Sequence, residues 1–119
     1  MKKRTIKHKE AWVTLVVLDS DEPTTLMFKG VERVLDGCYG GALFFNEGEP
    51  LDYLFVVRKS QSDKAFVHEF YHLWFKYLND IDQEPFTAEE LGREVYCYEF
   101  CEFYEKVRKA FDSLIGKIE

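Results

Sequence analysis

The first apolar run of the chain, Ala11-Trp12-Val13-Thr14-Leu15-Val16-Val17-Leu18-Asp19, is rich in β-branched residues and stops at Ser20-Asp21-Glu22-Pro23. Such a run predicts a strand covered on both faces. Between Thr24 and Leu35 the spacing predicts a helix, with Leu26, Val31 and Val34 inward and Asp36-Gly37 as its end. Gly30 lies inside that helix and weakens it. Gly40-Gly41 then introduces a short strand, Ala42-Leu43-Phe44-Phe45, and Asn46-Glu47-Gly48-Glu49-Pro50 has the composition of a turn. Tyr53-Leu54-Phe55-Val56-Val57 reads as a third strand, hairpin-connected to the second or close to it.

After the third strand the apolar period changes from two to about 3.6. Ser60 or Ser62 can cap a helix from about Asp63 to Leu78. Phe66, Phe70, Leu73 and Tyr77, with Val67, Tyr71, Trp74 and Leu78, occupy one broad arc of it, while His68 and His72 project from another arc with Ala65 and Phe75. A helix apolar over most of its circumference is expected to be buried. A loop from Asn79 to Pro85 leads to a second helix, where Thr87 and Glu90 form a capping box and Phe86 and Leu91 a hydrophobic staple. This helix runs to about Leu114 with a core stripe of Tyr96, Phe100, Phe103, Val107, Ala110 and Leu114, and a solvated face of Glu99, Glu102, Lys106 and Lys109. The expected fold class is α+β, a small sheet of about three strands packed on two helices.

Length and composition narrow the picture. The 119 residues fit one domain, with no repeat, linker or low-complexity tract to divide them. Eleven Phe, seven Tyr and two Trp imply a bulky core that needs no disulfides. The net charge of -6 argues against nucleic acid or an anionic membrane surface as partner. Only Met1-Lys2-Lys3-Arg4, with Lys7, His8 and Lys9, is locally basic, and residues 1–10 are expected as a flexible solvated arm without the apolar stretch of a signal peptide. No run is long enough for a transmembrane helix. Three cysteines, an odd number, fit a reducing cytoplasm better than a secreted disulfide framework.

The chemistry is concentrated in His68-Glu69-Phe70-Tyr71-His72, an H-E-x-x-H pattern. Two histidines four apart on a helix share a face, so both imidazoles can reach one metal ion, and the glutamate beside the first can act on a water bound to it. Catalytic zinc usually takes three protein ligands and keeps one position open. Glu94, aligned with Cys97, Tyr98 and Cys101 on the second helix, is the favoured third ligand, because small cysteines below it would let the two helices approach. Glu90 is the competitor one turn earlier, already engaged by its capping role; Glu99 and Glu102 point toward solvent. No histidine follows His72.

An H-E-x-x-H helix followed after about twenty residues by a helix with a glutamate resembles the gluzincin branch of the zincin metallopeptidases. More narrowly, residues 40 to 105 resemble small phage-type metallopeptidase domains, in which the second helix carries Glu followed by Ala-Tyr-like residues; here the stretch reads Glu94-Val95-Tyr96-Cys97-Tyr98, with Cys97 in place of alanine. The resemblance implies one zinc ion on His68, His72 and Glu94, with Glu69 as general base and acid in peptide hydrolysis. The oxyanion then needs a further donor, for which Tyr98 is the candidate and Tyr71, on the packed arc, the lesser one. An extended peptide or protein substrate could add to an exposed strand edge beside the metal. The alternative is a zincin-like metal-binding or interaction module without proteolysis, or a metal-free one. Cys97 and Cys101 are expected as buried small residues rather than a soft-metal pair, Cys38 as a turn residue, and the chain as a monomer or a homodimer.

Overall fold

The computed structural model describes residues 1–37, 39–46, 50–81 and 94–116, and the side chains of 61, 62, 94 and 95 lie outside that description. Six strands precede two helices: β1 (Lys2–His8), β2 (Ala11–Leu18), β3 (Thr24–Phe28), β4 (Val31–Leu35), β5 (Gly41–Phe45) and β6 (Leu51–Arg58), then a 3-10 turn, α1 (Ser62–Ile81) and α2 (Glu94–Ile115). The fold class is α+β. One sheet has the order β1-β2-β6-β5, and β3 and β4 form a separate two-stranded sheet. In the larger sheet β2 and β6 run parallel, with Ala11 opposite Leu51 and Leu18 opposite Arg58, while β1 and β5 are antiparallel to their neighbours.

Alternation along the central strands explains the layers. Ala11, Val13, Leu15 and Val17 of β2, with Leu51, Tyr53, Phe55 and Val57 of β6, face the helices. Val16, Leu18, Leu54 and Val56 face the β3–β4 hairpin, where they meet Leu26, Phe28 and Leu35. The two middle strands are therefore covered on both sides, as their near-continuous apolar sequence requires. On the helical side α1 lies over β6 and β5, and α2 over β1 and β2. The helices meet through aromatic rings: Phe66 with Phe111 at 4.8 Å, Phe70 with Phe103 at 5.4 Å, and Trp74 with Phe100 at 5.3 Å. That succession makes the two helices antiparallel.

Residues 24–35 are a hairpin and not the helix that their spacing predicts. Lys29 and Gly30 both have positive φ, 53° and 76°, between paired Phe28 and Val31. Two positive φ values in a two-residue loop define the turn whose twist suits a hairpin, and glycine takes such a φ without strain. Leu26, Phe28 and Leu35 are inward, whereas Val31 and Val34 are exposed. The N-terminal segment is likewise no free arm. It is edge strand β1, paired residue by residue from Lys2–Val17 to His8–Ala11, with its charges in solvent and Ile6 and His8 turned to the helices. The sheet accordingly has four strands rather than about three.

Other departures concern helix faces. Val67 and Tyr71 are exposed, because α2 covers only the Phe66, Phe70 and Trp74 side of α1. Cys97 and Cys101 are exposed and free, and Phe111 is fully buried in the core stripe. Cys38, the capping box of Thr87 and Glu90, and the staple of Phe86 and Leu91 lie outside the described residues. Among those described, no helix is long and apolar enough to cross a membrane.

Candidate metal centre

The H-E-x-x-H residues occupy the second and third turns of α1, on the side facing β5. Helical spacing sets His68 above His72, and their Nε2 atoms lie 3.2 Å apart, with ring centroids at 4.9 Å. Both rings are exposed. Glu69 is rotated from them by one residue, about 100° around the helix, toward the sheet. It is only 6 % exposed, and its Oε1 lies 3.7 Å from His68 Nε2. Ligand atoms of the three residues all fall within 4.8 Å of one another, the one such group among the described residues.

Metal geometry can be tested against that separation. Two nitrogens about 2.0–2.1 Å from one tetrahedral zinc are roughly 3.4 Å apart. The observed 3.2 Å fits a shared ion with little adjustment. Without metal the same separation serves an N–H···N hydrogen bond between one protonated and one bare ring nitrogen. In that case one of the two nitrogens must give up its proton before both can bind one ion.

Glu69 sits beneath β5 because residue 41 is glycine. A Cβ there would come within 2.9 Å of Glu69 Cγ and 2.6 Å of the Val56 carbonyl oxygen. Burial pushes the Glu69 carboxyl above the usual carboxylate range, and the neighbouring His68 and His72 pull it part of the way back. A carboxylate poised in this way readily accepts and returns a proton.

The three residues line a cleft of about 600 Å³. One wall is β5 from Gly41 to Phe45 together with Val34 and Leu35 of β4; the other is α1, where Lys76 and Asn79 continue the histidine face. Lys76 Nζ is 4.4 Å from the Phe45 ring centre and 3.1 Å from Asp80, which also accepts a hydrogen bond from Tyr53 OH. A smaller hollow of about 200 Å³ is lined by Tyr39, Gly40, Gly41, Lys64, Ala65, His68 and Glu69.

Tyr98 is 71 % exposed on α2 and does not line the cleft. Glu94 opens α2 but its side chain lies outside the described residues, as does the whole of Glu90. Two residues that sequence spacing does not single out organise the cleft from the other side. Tyr39 lines both hollows. Arg58, fully buried at the end of β6, donates to four carbonyls: Tyr39 at 2.8 Å, Ser20 at 2.6 Å, Leu35 at 3.2 Å and Asp36 at 3.1 Å. Nothing local marks either residue, since each acquires its role from segments distant in the chain.

The remaining histidine has a different fate. His8 is fully buried under α2, stacked on Phe103 at 4.2 Å, with Lys106 Nζ 3.1 Å from its Nδ1. Burial first, then the Lys106 and Lys9 charges, lower its pKa to about 4. It is a neutral core ring between β1 and α2, away from the cleft.

No protein-family model matches the chain, and neither the curated proteins nor the solved structures give a match.

Proposed function

We propose that the protein is a zinc-dependent metallopeptidase of zincin-like type, cutting peptide bonds in a peptide or protein substrate. The observation that carries this reading is the convergence of His68 and His72 at 3.2 Å beside a buried glutamate, on the wall of an apolar cleft. A single zinc ion held by the two imidazoles would supply a Lewis acid and lower the pKa of a water to about 7. Glu94 is the proposed third ligand on the strength of its spacing after His72; it opens α2, which packs on the Phe66, Phe70 and Trp74 side of α1, so ligation requires its carboxylate to reach round to the histidine face.

Glu69 takes the proton of the attacking water as its oxygen joins the peptide carbonyl carbon. It then delivers that proton to the amine nitrogen as the C–N bond breaks. β5 pairs only with β6 among the described residues, so its other edge can accept an extended peptide along the cleft. Leu43 and Phe45 on one face, and Ala42 and Phe44 on the other, favour apolar side chains near the cut. The cytoplasm is the proposed compartment, on the odd count of three cysteines.

Purified protein supplemented with zinc should hold close to one equivalent by atomic absorption. Glu69→Gln should keep that metal and lose hydrolysis by on the order of 100-fold or more. Glu94→Ala should weaken zinc binding more than Glu90→Ala. Absence of stoichiometric zinc sinks the proposal.

A second reading has its own observation. Val67, Tyr71 and Phe75 form an exposed apolar strip on α1 beside the histidines. A zincin-like interaction module would use such a strip, and its biological effect would survive Glu69→Gln but not Tyr71→Glu.

A further inference from the structure

Peptide hydrolysis builds negative charge on the carbonyl oxygen, and a site that acts on it needs a hydrogen-bond donor aimed there. Among the described residues of the cleft, the side-chain donors beyond the histidines are Tyr39, Lys76 and Asn79. Lys76 is occupied by Asp80 and the Phe45 ring, and Asn79 lies nearly two turns beyond His72. Of these three donors only Tyr39, 58 % exposed, lines both the cleft and the smaller hollow against His68 and Glu69. It approaches from the β4–β5 connection, across the cleft from α1.

The backbone of this connection is fixed at each end. Tyr39 N–H donates to the Asp36 carbonyl at 3.1 Å, and Arg58 N–H donates to the Gly40 carbonyl at 2.7 Å. The Arg58 guanidinium holds the Tyr39 carbonyl itself, and with its remaining N–H groups ties down Ser20, Leu35 and Asp36. A fully buried guanidinium satisfied by main-chain oxygens of three segments is a rigid clamp, because loss of any one partner leaves a buried charge under-bonded.

The structure assigns Tyr39 as the oxyanion donor and Arg58 as the residue that positions it, an inference that rests on the hydrolase reading above. As the water oxygen bonds to the carbonyl carbon, the π pair of the C=O moves onto oxygen, and the Tyr39 phenol donates a hydrogen bond to it while keeping its proton. Glu69 holds the proton taken from water. When the C–N bond breaks, the oxyanion pair reforms the C=O, and the Glu69 proton goes to nitrogen. Nothing is oxidised or reduced, and Tyr39 returns unchanged.

The test uses the full, zinc-loaded chain with a quenched-fluorescent peptide rich in Leu and Phe, and an N-phosphoryl leucyl dipeptide as a tetrahedral anionic probe. Tyr39→Phe should retain zinc, fold and KM, and lose kcat by about 100-fold. Its affinity for the phosphoryl probe should fall as well, a readout that requires no turnover. Arg58→Lys should lower kcat in the wild-type background and add little to Tyr39→Phe, since both act through one phenol. Wild-type kcat and probe affinity in zinc-loaded Tyr39→Phe overturn the assignment, even where Arg58→Lys fails to fold. Strictly multiplying effects of the two substitutions overturn the positioning role of Arg58. A wild-type chain that binds zinc and the probe without cutting peptide fails the hydrolase reading alone, and the Tyr39→Phe probe affinity still decides the donor.

Discussion

The two edges of the four-stranded sheet are built from opposite chemistry. β1 carries Lys2, Lys3, Arg4 and Lys7, and α2 lies over it. β5 reads Gly-Ala-Leu-Phe-Phe, without a charge, and borders the histidine cleft. An edge strand offers unpaired N–H and C=O groups to any passing chain, and charges along it discourage that pairing. The protein guards one edge in this way and leaves the other apolar. An apolar edge kept by a chain that protects its second edge is an edge available for use, which is where the proposed peptide track lies.

The contrast can be broken most severely at Gly41. In Gly41→Val the new side chain meets the Val56 carbonyl oxygen at 2.6 Å and Glu69 Cγ at 2.9 Å, so either β5 leaves β6 or Glu69 leaves its place. The expected loss is about 3 kcal/mol in urea denaturation, together with the collapse of any Glu69-dependent activity. An unchanged midpoint would show that the β5 edge is slack.

At the β1 edge the next largest effect is a pH dependence. His8 in the folded protein has a pKa of about 4, below its ordinary 6.5. Between these values the unfolded chain binds a proton that the folded chain refuses. Stability from this group is complete above pH 6.5 and is lost as pH falls toward 4, by up to ~3 kcal/mol. His8→Phe, which keeps a ring against Phe103, should flatten that part of the curve relative to wild type. Parallel curves for the two proteins would refute the assignment.

The smallest effect tests how little the β1 edge depends on its surface charges. Lys9 reaches Glu99 at 2.7 Å, but its side chain is nearly half exposed. Solvent screens such a pair, and Lys9→Ala should cost about 0.5 kcal/mol, less in high salt. A cost above 2 kcal/mol would make this contact a true fastening between sheet and helix.

The two edges also show what a sequence discloses. β5 and β6 are legible from their apolar composition and the turn residues between them, and His68, Glu69 and His72 from helical spacing alone. β1 is not, because its lysines read as a solvated tail when only the pairing with β2 makes them an edge. The β3–β4 hairpin was hidden by Leu26, Val31 and Val34, whose spacing imitates a helical face, while the informative signal was Lys29-Gly30 flanked by Phe28 and Val31. Tyr98 lies one turn after Glu94 in the sequence, yet it is out of the cleft. Tyr39 and Arg58 were silent for the opposite reason, since hydrogen bonds from Arg58 to Ser20 and Leu35 exist only after strands far apart in the chain have met.

The parallel pairing of β2 with β6 has a consequence in time. Ala11 waits for Leu51, so the centre of the sheet closes only after the hairpins and β5 have been synthesised. Contacts between such distant residues form slowly, because a long loop must be closed before they repay it. β6 is also the strand against which β5 and α1 are both set. A chain still emerging from the ribosome can form its early hairpins but has no cleft, and competence arrives together with the last long-range pairing.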